Sequence, residues 1–228
     1  MSRVAILAGG SPHAHDFASS GAAVADVVSQ LGHEVEVVED PDVAASMLDD
    51  VDALAVIGLW WRMLGNTYDP WREQHAYTPP AATRDRLTSF VSNGGGLLAL
   101  HTAPISFDDW QEWGDIVGGA WVWGVSSHPP VGDVRVRLVG QHPVVDGLPA
   151  EFEIVDEVYG DMAIRDGVEV LAVAKRHASD PDQPVVWAHR FGKGNVVFDG
   201  FGHDASSIHH PHNRRLLQQA ITWILEGS

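Results

Sequence analysis

The sequence predicts an α/β fold in which helices cover a mainly parallel sheet, and three observations predict it. Strand-like and helix-like segments alternate through the first half, which is how parallel strands are connected. From Val134 onward the pattern changes to strict alternation and a hairpin, the mark of an added antiparallel region. The length of 228 residues suits one α/β domain covering 1–228, with no repeat, low-complexity segment or linker to divide it.

Val4 to Ala8 is an apolar run of strand length, after which Gly9-Gly10 lets the chain turn. Phe17, Gly21, Val24, Val28 and Leu31 then recur at helical spacing, and Gly32 closes that helix. Val35 to Val38 and Ala53 to Ile57 form the second and third strands. Arg84 to Val91 is helical and ends at Asn93-Gly94-Gly95-Gly96, before Leu97 to Leu100 makes a fourth, buried strand. These four strands should run parallel, since helices or crossovers separate them. Val134 to Leu138 alternates as a strand wet on one face does, and is expected at or near a sheet edge. Val168 to Ala174, Val185 to Ala188 and Val196 to Phe198 are further strands, the last two joined as a hairpin through Phe191-Gly192-Lys193-Gly194. A final helix carries Leu216, Leu217, Ala220, Ile221 and Ile224, with Pro211 near its start.

Composition narrows the function. Lys plus Arg total 14 against 31 Asp plus Glu, a formal net charge of −17, so the surface repels phosphate backbones and anionic lipid. Nucleic-acid and membrane partners are therefore not expected, and no apolar stretch approaches the roughly 20 residues of a spanning helix. Met1-Ser2-Arg3 leads straight into a short apolar run and a Gly-Gly turn, which is no secretory signal; the expected location is the cytoplasm. With no Cys, disulfides, thiolate ligands and thiol catalysis are all excluded. No GxSxG elbow exists, and Gly9-Gly10-Ser11 lacks the GxGxxG and GKS/T patterns, so it reads as a plain strand-to-helix turn.

Ligands of open α/β sheets sit at the carboxyl ends of the strands, which selects Gly9 to Asp16, Gly58 to Trp61 and His101 to Pro104. His101 follows strand four directly and is a candidate catalytic imidazole, although a histidine there could equally be a capped structural residue. His128 precedes Pro129, His203 follows Gly202 and His15 adjoins Asp16, all in turns rather than apolar faces. Three imidazoles with an open position would suit a divalent metal such as zinc, and His101, His128 and His203 are the candidate ligands, at a spacing that matches no compact motif. His209, His210 and His212 are closer together but read as a solvated turn ahead of the last helix. In Ile154-Val155-Asp156-Glu157-Val158-Tyr159 a strand would put Glu157 and Tyr159 on one face and Asp156 on the other. Glu157 is then the candidate general acid or base, with Tyr159 as a hydrogen-bond donor beside it. The long connections 58–80 and 103–133 hold seven of the nine tryptophans, whose flat faces suit sugar rings or a subunit interface. Trp60, Trp61 and Trp187, with His15 and Asp16, are the candidate substrate contacts, and a homo-oligomer remains among the expectations.

At these residues the sequence resembles the trehalose-utilisation, or ThuA-like, family. The resemblance rests on His15-Asp16-Phe17, Gly94 to Ala103 with His101 inside it, Gly118-Gly119, His128-Pro129, His142-Pro143-Val144, Asp156-Glu157-Val158-Tyr159, Pro184 to Trp187 and Gly202-His203. Each is weak alone, and the ordered set spans nearly the whole chain. The resemblance implies a flavodoxin-like, class I glutamine amidotransferase-like three-layer sandwich in which an imidazole stands where amidotransferases present a cysteine. It also implies a small-molecule carbohydrate as ligand. The expectation is a sugar-processing enzyme that groups His101, His128, His203 and Glu157 around one pocket, by proton transfer or metal-assisted chemistry. Its rivals are a noncatalytic sugar-binding or regulatory module and a scaffold whose histidines only satisfy the core.

Overall fold

The computed structural model describes residues 1–11, 13 and 15–226. Pro12 and Ala14, inside the candidate segment Gly9 to Asp16, lie outside the described residues. In chain order the elements are β1 (Arg3–Gly10), α1 (Phe17–Gln30), β2 (Glu34–Val38), α2 (Pro41–Ser46), β3 (Ala53–Leu59), α3 (Asp69–His75), α4 (Ala81–Asn93) and β4 (Gly96–Leu100). There follow α5 (Gln111–Val117), β5 (Gly119–Ala120), β6 (Gly132–Leu138), β7 (Glu151–Asp156), β8 (Ala163–Ile164), β9 (Glu169–Ala174), β10 (Gln183–Phe191), β11 (Gly194–Asp199), α6 (Ala205–His209) and α7 (Pro211–Leu225).

Nine strands form one sheet in the order β2-β1-β3-β4-β11-β10-β9-β6-β7. The strands starting near Val4, Val35, Ala53 and Leu97 are parallel, in registers such as Val4↔Val35, Val4↔Ala53 and Leu54↔Leu97. β11 pairs parallel to β4 and antiparallel to β10, so it joins the parallel half to the antiparallel half. β6 lies one strand in from the edge, between β9 and the edge strand β7. Its alternation has the expected cause: Val134 and Val136 are buried while Arg135 and Arg137 are exposed.

Side chains alternate across the sheet, and two cores result. Val4, Ile6 and Ala8 of β1 pack with Val24, Val27 and Val28 of α1 and Leu216, Leu217 and Ile221 of α7. Ala5 and Leu7 point the other way, toward Ala44 and Ala45 of α2, Leu87 and Val91 of α4, and Ile116 and Val117 of α5. The result is the three-layer sandwich expected. β3 and β4 are buried along their whole length, which explains their unbroken apolar runs.

Candidate functional site

The carboxyl ends of β1, β3, β4 and β11 point to one rim, and the chain leaves β7 toward the same place. His101 is the first residue beyond β4 and adopts the left-handed conformation, φ +46°, which a non-glycine residue holds only when its surroundings compel it. What compels it is visible. Its N–H donates to the carbonyl of Asp199 at 2.8 Å, and the next turn is tied to β3 by Thr102 and Ser106, whose hydroxyls donate to the Gly58 carbonyl at 2.7 and 2.8 Å. The His101 ring is then held by its Nδ1, 3.0 Å from the carbonyl oxygen of Gly200. A carbonyl only accepts, so Nδ1 carries the proton and Nε2 presents a lone pair to the rim. The Tyr159 hydroxyl meets that nitrogen at 3.1 Å.

Glu157 sits in the middle of the histidines and is 6 % exposed. One carboxylate oxygen, Oε1, lies 3.3 Å from His128 Nδ1 and 3.6 Å from His203 Nδ1; the other, Oε2, lies 3.6 Å from His101 Nε2. His15 completes the group, its ring edge-on to those of His101 and His203 with centroids 4.8 and 4.5 Å away. Sequence reasoning therefore named residues that the fold does bring together: His15, His101, His128, His203, Glu157 and Tyr159. The set whose ligand atoms converge most closely, within 4.8 Å, is nonetheless His15, His101, Glu157 and His203. His128 stands outside it, partly exposed against the Glu157 oxygen that also faces His203, so the tightest group contains His15 where His128 was expected.

Electrostatics follow from burial and from the central carboxylate. Burial pulls His101 below the usual imidazole range, and burial together with the neighbouring imidazoles of His101 and His203 brings His15 down to about 3, so both rings are neutral. His128 is raised, first by its hydrogen bond to Glu157. Burial pushes Glu157 upward, but His128, His101 and His203 outweigh it and hold the carboxyl below its ordinary value. Burial and the nearby carboxylates raise Tyr159 well above the phenol range, which keeps it a hydrogen-bond donor.

Glu157 and Tyr159 do not share a strand face as the alternation predicts. β7 ends at Asp156, so Glu157 and Tyr159 belong to an irregular segment, and alternation does not govern them. Asp156 turns inward, 1 % exposed, and becomes a strut: Oδ1 accepts from the Glu157 N–H at 2.7 Å, while Oδ2 accepts from the N–H groups of Gly202 and His203 at 2.8 and 3.4 Å and from the Ser207 hydroxyl. One buried carboxylate thus ties the backbone of Glu157 to that of His203. The adjacent acidic pair was visible in sequence; the strand end that gives it this role was not.

The tryptophans divide between the two faces. Trp61, Tyr68, Trp71, Trp121 and Trp123 line a cavity of about 390 Å³ that opens onto Glu157, and Trp123 stacks on Trp61 at 4.9 Å and 10°. Trp60 and Trp187 do not join them. Trp60 continues the alternation past β3 into the opposite core, stacked near Phe107. Trp187, fully buried in β10, stacks on Phe198 and donates its N–H to the Val117 carbonyl at 2.9 Å. Asp16 is also drawn aside, because its carboxylate caps α1 by accepting from the Ser19 N–H. Trp121 and Trp123, from the long connection 103–133, line the cavity where Trp60 and Trp187 are expected. His209 is exposed and pairs with Arg214, and His210 and His212 pack around Phe152, as a turn rather than a site.

Among solved structures, the chain is similar to a ThuA-like protein of Parabacteroides merdae, with TM-score 0.80 and 18 % identity over 100 % of this chain and 91 % of that one. A ThuA-like protein of Bacteroides uniformis matches with TM-score 0.74 and 18 % identity, over 98 % and 91 % of the two chains. A glutamine amidotransferase of Thermotoga maritima shares the fold at TM-score 0.58 and 7 % identity, over 99 % and 98 %. None of the curated proteins matches the chain in sequence. The model of the family described as trehalose utilisation, ThuA, matches residues 3–224, and the chain belongs to that family.

Proposed function

We propose that this chain is a carbohydrate-processing enzyme that moves protons on a sugar or sugar derivative held above Glu157. The observation that carries the reading is the Glu157 carboxylate itself, buried at the floor of a tryptophan-walled cavity with three imidazoles 3.3 to 3.6 Å from its oxygens. Indole faces pack against the CH faces of sugar rings, while imidazole and phenol groups meet the hydroxyls. The family's description, trehalose utilisation, supports a sugar ligand and makes trehalose the first probe.

In this reading the groups divide the work. His128, raised by its bond to Glu157 and partly exposed at the rim, gives a proton to a leaving or carbonyl oxygen. Tyr159 stays a neutral phenol and donates a hydrogen bond to the same region. Glu157 keeps a negative charge beside the reacting carbon and, through its contact with His128, favours the protonated imidazole, which regains its proton from water after each transfer. The test pairs calorimetry for sugar binding with nuclear magnetic resonance of the sugar for turnover. His128→Ala and Glu157→Gln should each lower turnover by about two to four orders of magnitude while sugar still binds. Binding without turnover in the unmodified chain would overturn the enzyme and leave a binding module; neither binding nor turnover across a panel of neutral saccharides would overturn the sugar.

A further inference from the structure

We propose that His15, His101, Glu157 and His203 hold one divalent transition-metal ion of the zinc class, which would take His101 Nε2 over from the Tyr159 hydroxyl and leave His128 for proton transfer. The first ground is convergence. One ligand atom from each residue lies within 4.8 Å of all the others, at the place where β1, β4, β7 and β11 deliver their following segments. A tetrahedron with metal–nitrogen bonds of about 2.0 to 2.1 Å has edges of roughly 3.4 Å, so the four donors need to draw in by an ångström or so to close on an ion.

The second ground is that the donors are spare. Among the described residues, His15 Nδ1, His203 Nδ1 and Glu157 Oε2 are buried without a hydrogen-bond partner. Buried polar atoms are normally satisfied, and three orphans among the four clustered residues call for a common partner that accepts lone pairs. Glu157 is 6 % exposed; Oε1 faces both His128 and His203, while Oε2 faces His101 with no donor to satisfy it. A cation at Oε2 meets that lone pair without disturbing the contact with His128.

The third ground is the outer shell. The bond from His101 Nδ1 to the Gly200 carbonyl presents Nε2 as the ligand atom, the orientation that a ligating histidine takes from its second partner. Asp156 fixes the spacing of two more donors, because its two oxygens hold the backbone of Glu157 and that of His203. Three imidazole nitrogens with one carboxylate suit zinc, cobalt or nickel and suit magnesium or calcium poorly, since those hard ions require oxygen.

The site is tested on the untagged full chain after treatment with EDTA, by titrating cobalt(II) while recording the visible spectrum and then displacing it with zinc(II). The expected result is one ion per chain, with the strong visible absorption of a low-coordinate cobalt centre. His15→Ala and His203→Ala, checked for native circular dichroism, should each weaken binding by at least tenfold, whereas the double variant His209→Ala, His212→Ala should leave it unchanged. Absence of stoichiometric binding by the unmodified chain overturns the proposal. Retention of binding in both the His15 and His203 variants, or its loss in the His209, His212 variant, also overturns it by placing the ion elsewhere. No sugar enters the measurement, so a metal-loaded chain without turnover refutes the carbohydrate reading alone, and turnover by a chain that takes up no metal refutes this one alone.

Discussion

His101 and His142 show how the position of one nitrogen decides what a histidine can do. In His101 the Gly200 carbonyl takes the Nδ1 proton and frees Nε2 toward the rim. His142 does the reverse. Its Nδ1 accepts from the Val144 N–H at 3.2 Å, capping a short 3-10 turn at Pro143–Val145, and its ring meets Trp223 of α7 edge-on at 4.6 Å. Only the neutral ring can accept there, and burial pulls its proton affinity below the usual range against the opposing pull of Glu169. The unfolded chain, with imidazole near 6.5, binds the proton better than the native one. This contribution to stability is therefore full above about pH 6.5 and is lost as pH falls from there through the lower native value. His142→Asn keeps an accepting cap but cannot be protonated, so its stability in urea, measured at several values between pH 7.5 and 5.5, should fall less steeply than that of the unmodified chain. Equal slopes would show that His142 is not a source of acid sensitivity.

The end of β7 is the element on which the site turns. Asp156 points inward by the strand's own alternation, in line with Phe152 and Ile154; had the strand continued, Glu157 would have faced the other way, and because it stops, the Glu157 carboxylate reaches the histidines. The strut has a clear weakness. Asn at this position offers one accepting oxygen where the carboxylate offers two, and its NH₂ group would face an N–H. Asp156→Asn should cost about 1 to 3 kcal/mol of stability by leaving buried donors unmatched. It should also reduce turnover, since Glu157 and His203 lose their common anchor, while sugar binding by the aromatic wall changes little. An undiminished turnover with a destabilised fold would reduce Asp156 to a purely structural part. A close approach between β1 and β3 shapes the same rim: a Cβ on Gly10, at φ +100°, would sit 2.3 Å from the Leu59 carbonyl oxygen, so only glycine fits there.

Across the whole molecule the tryptophans divide between the two faces of the sheet. Trp187 and Trp60 belong to the core against α2, α4 and α5, whereas Trp61 and Trp123 border the cavity on the other side. Trp61 is only 4 % exposed because Trp123 lies over it, so the outer, half-exposed ring of Trp123 is the one free to meet a ligand. Trp187→Ala should cost about 3 to 5 kcal/mol, as removal of a fully buried aromatic does, and leave the cavity's affinity for sugar intact if the fold survives. Trp123→Ala should change stability by less than about 1 kcal/mol and weaken saccharide binding. Chemical denaturation and calorimetry on the two variants check the pair, and a reversal of the two effects would mean that the aromatic cavity is not where the sugar binds.

The alternation of strands and helices, the unbroken apolar runs of β3 and β4, and the half-wet pattern of β6 determined a mainly parallel sheet covered by helices with an antiparallel region added. These are local periodicities, and burial on one or both faces is written directly in them. The ordered motifs around His101, Glu157 and His203 likewise marked the residues that meet at the rim. What only the tertiary structure decided was the partner of each group. His15 rather than His128 completes the closest cluster, Asp156 braces it from the core, and Trp121 and Trp123 replace Trp60 and Trp187 at the cavity. Each of these outcomes depends on where a strand ends or on which face an indole meets, and those are settled by contacts between segments far apart in the chain. Asp156 and Gly202 are 46 residues apart and joined by one hydrogen bond of 2.8 Å, a distance in sequence across which no local pattern carries information.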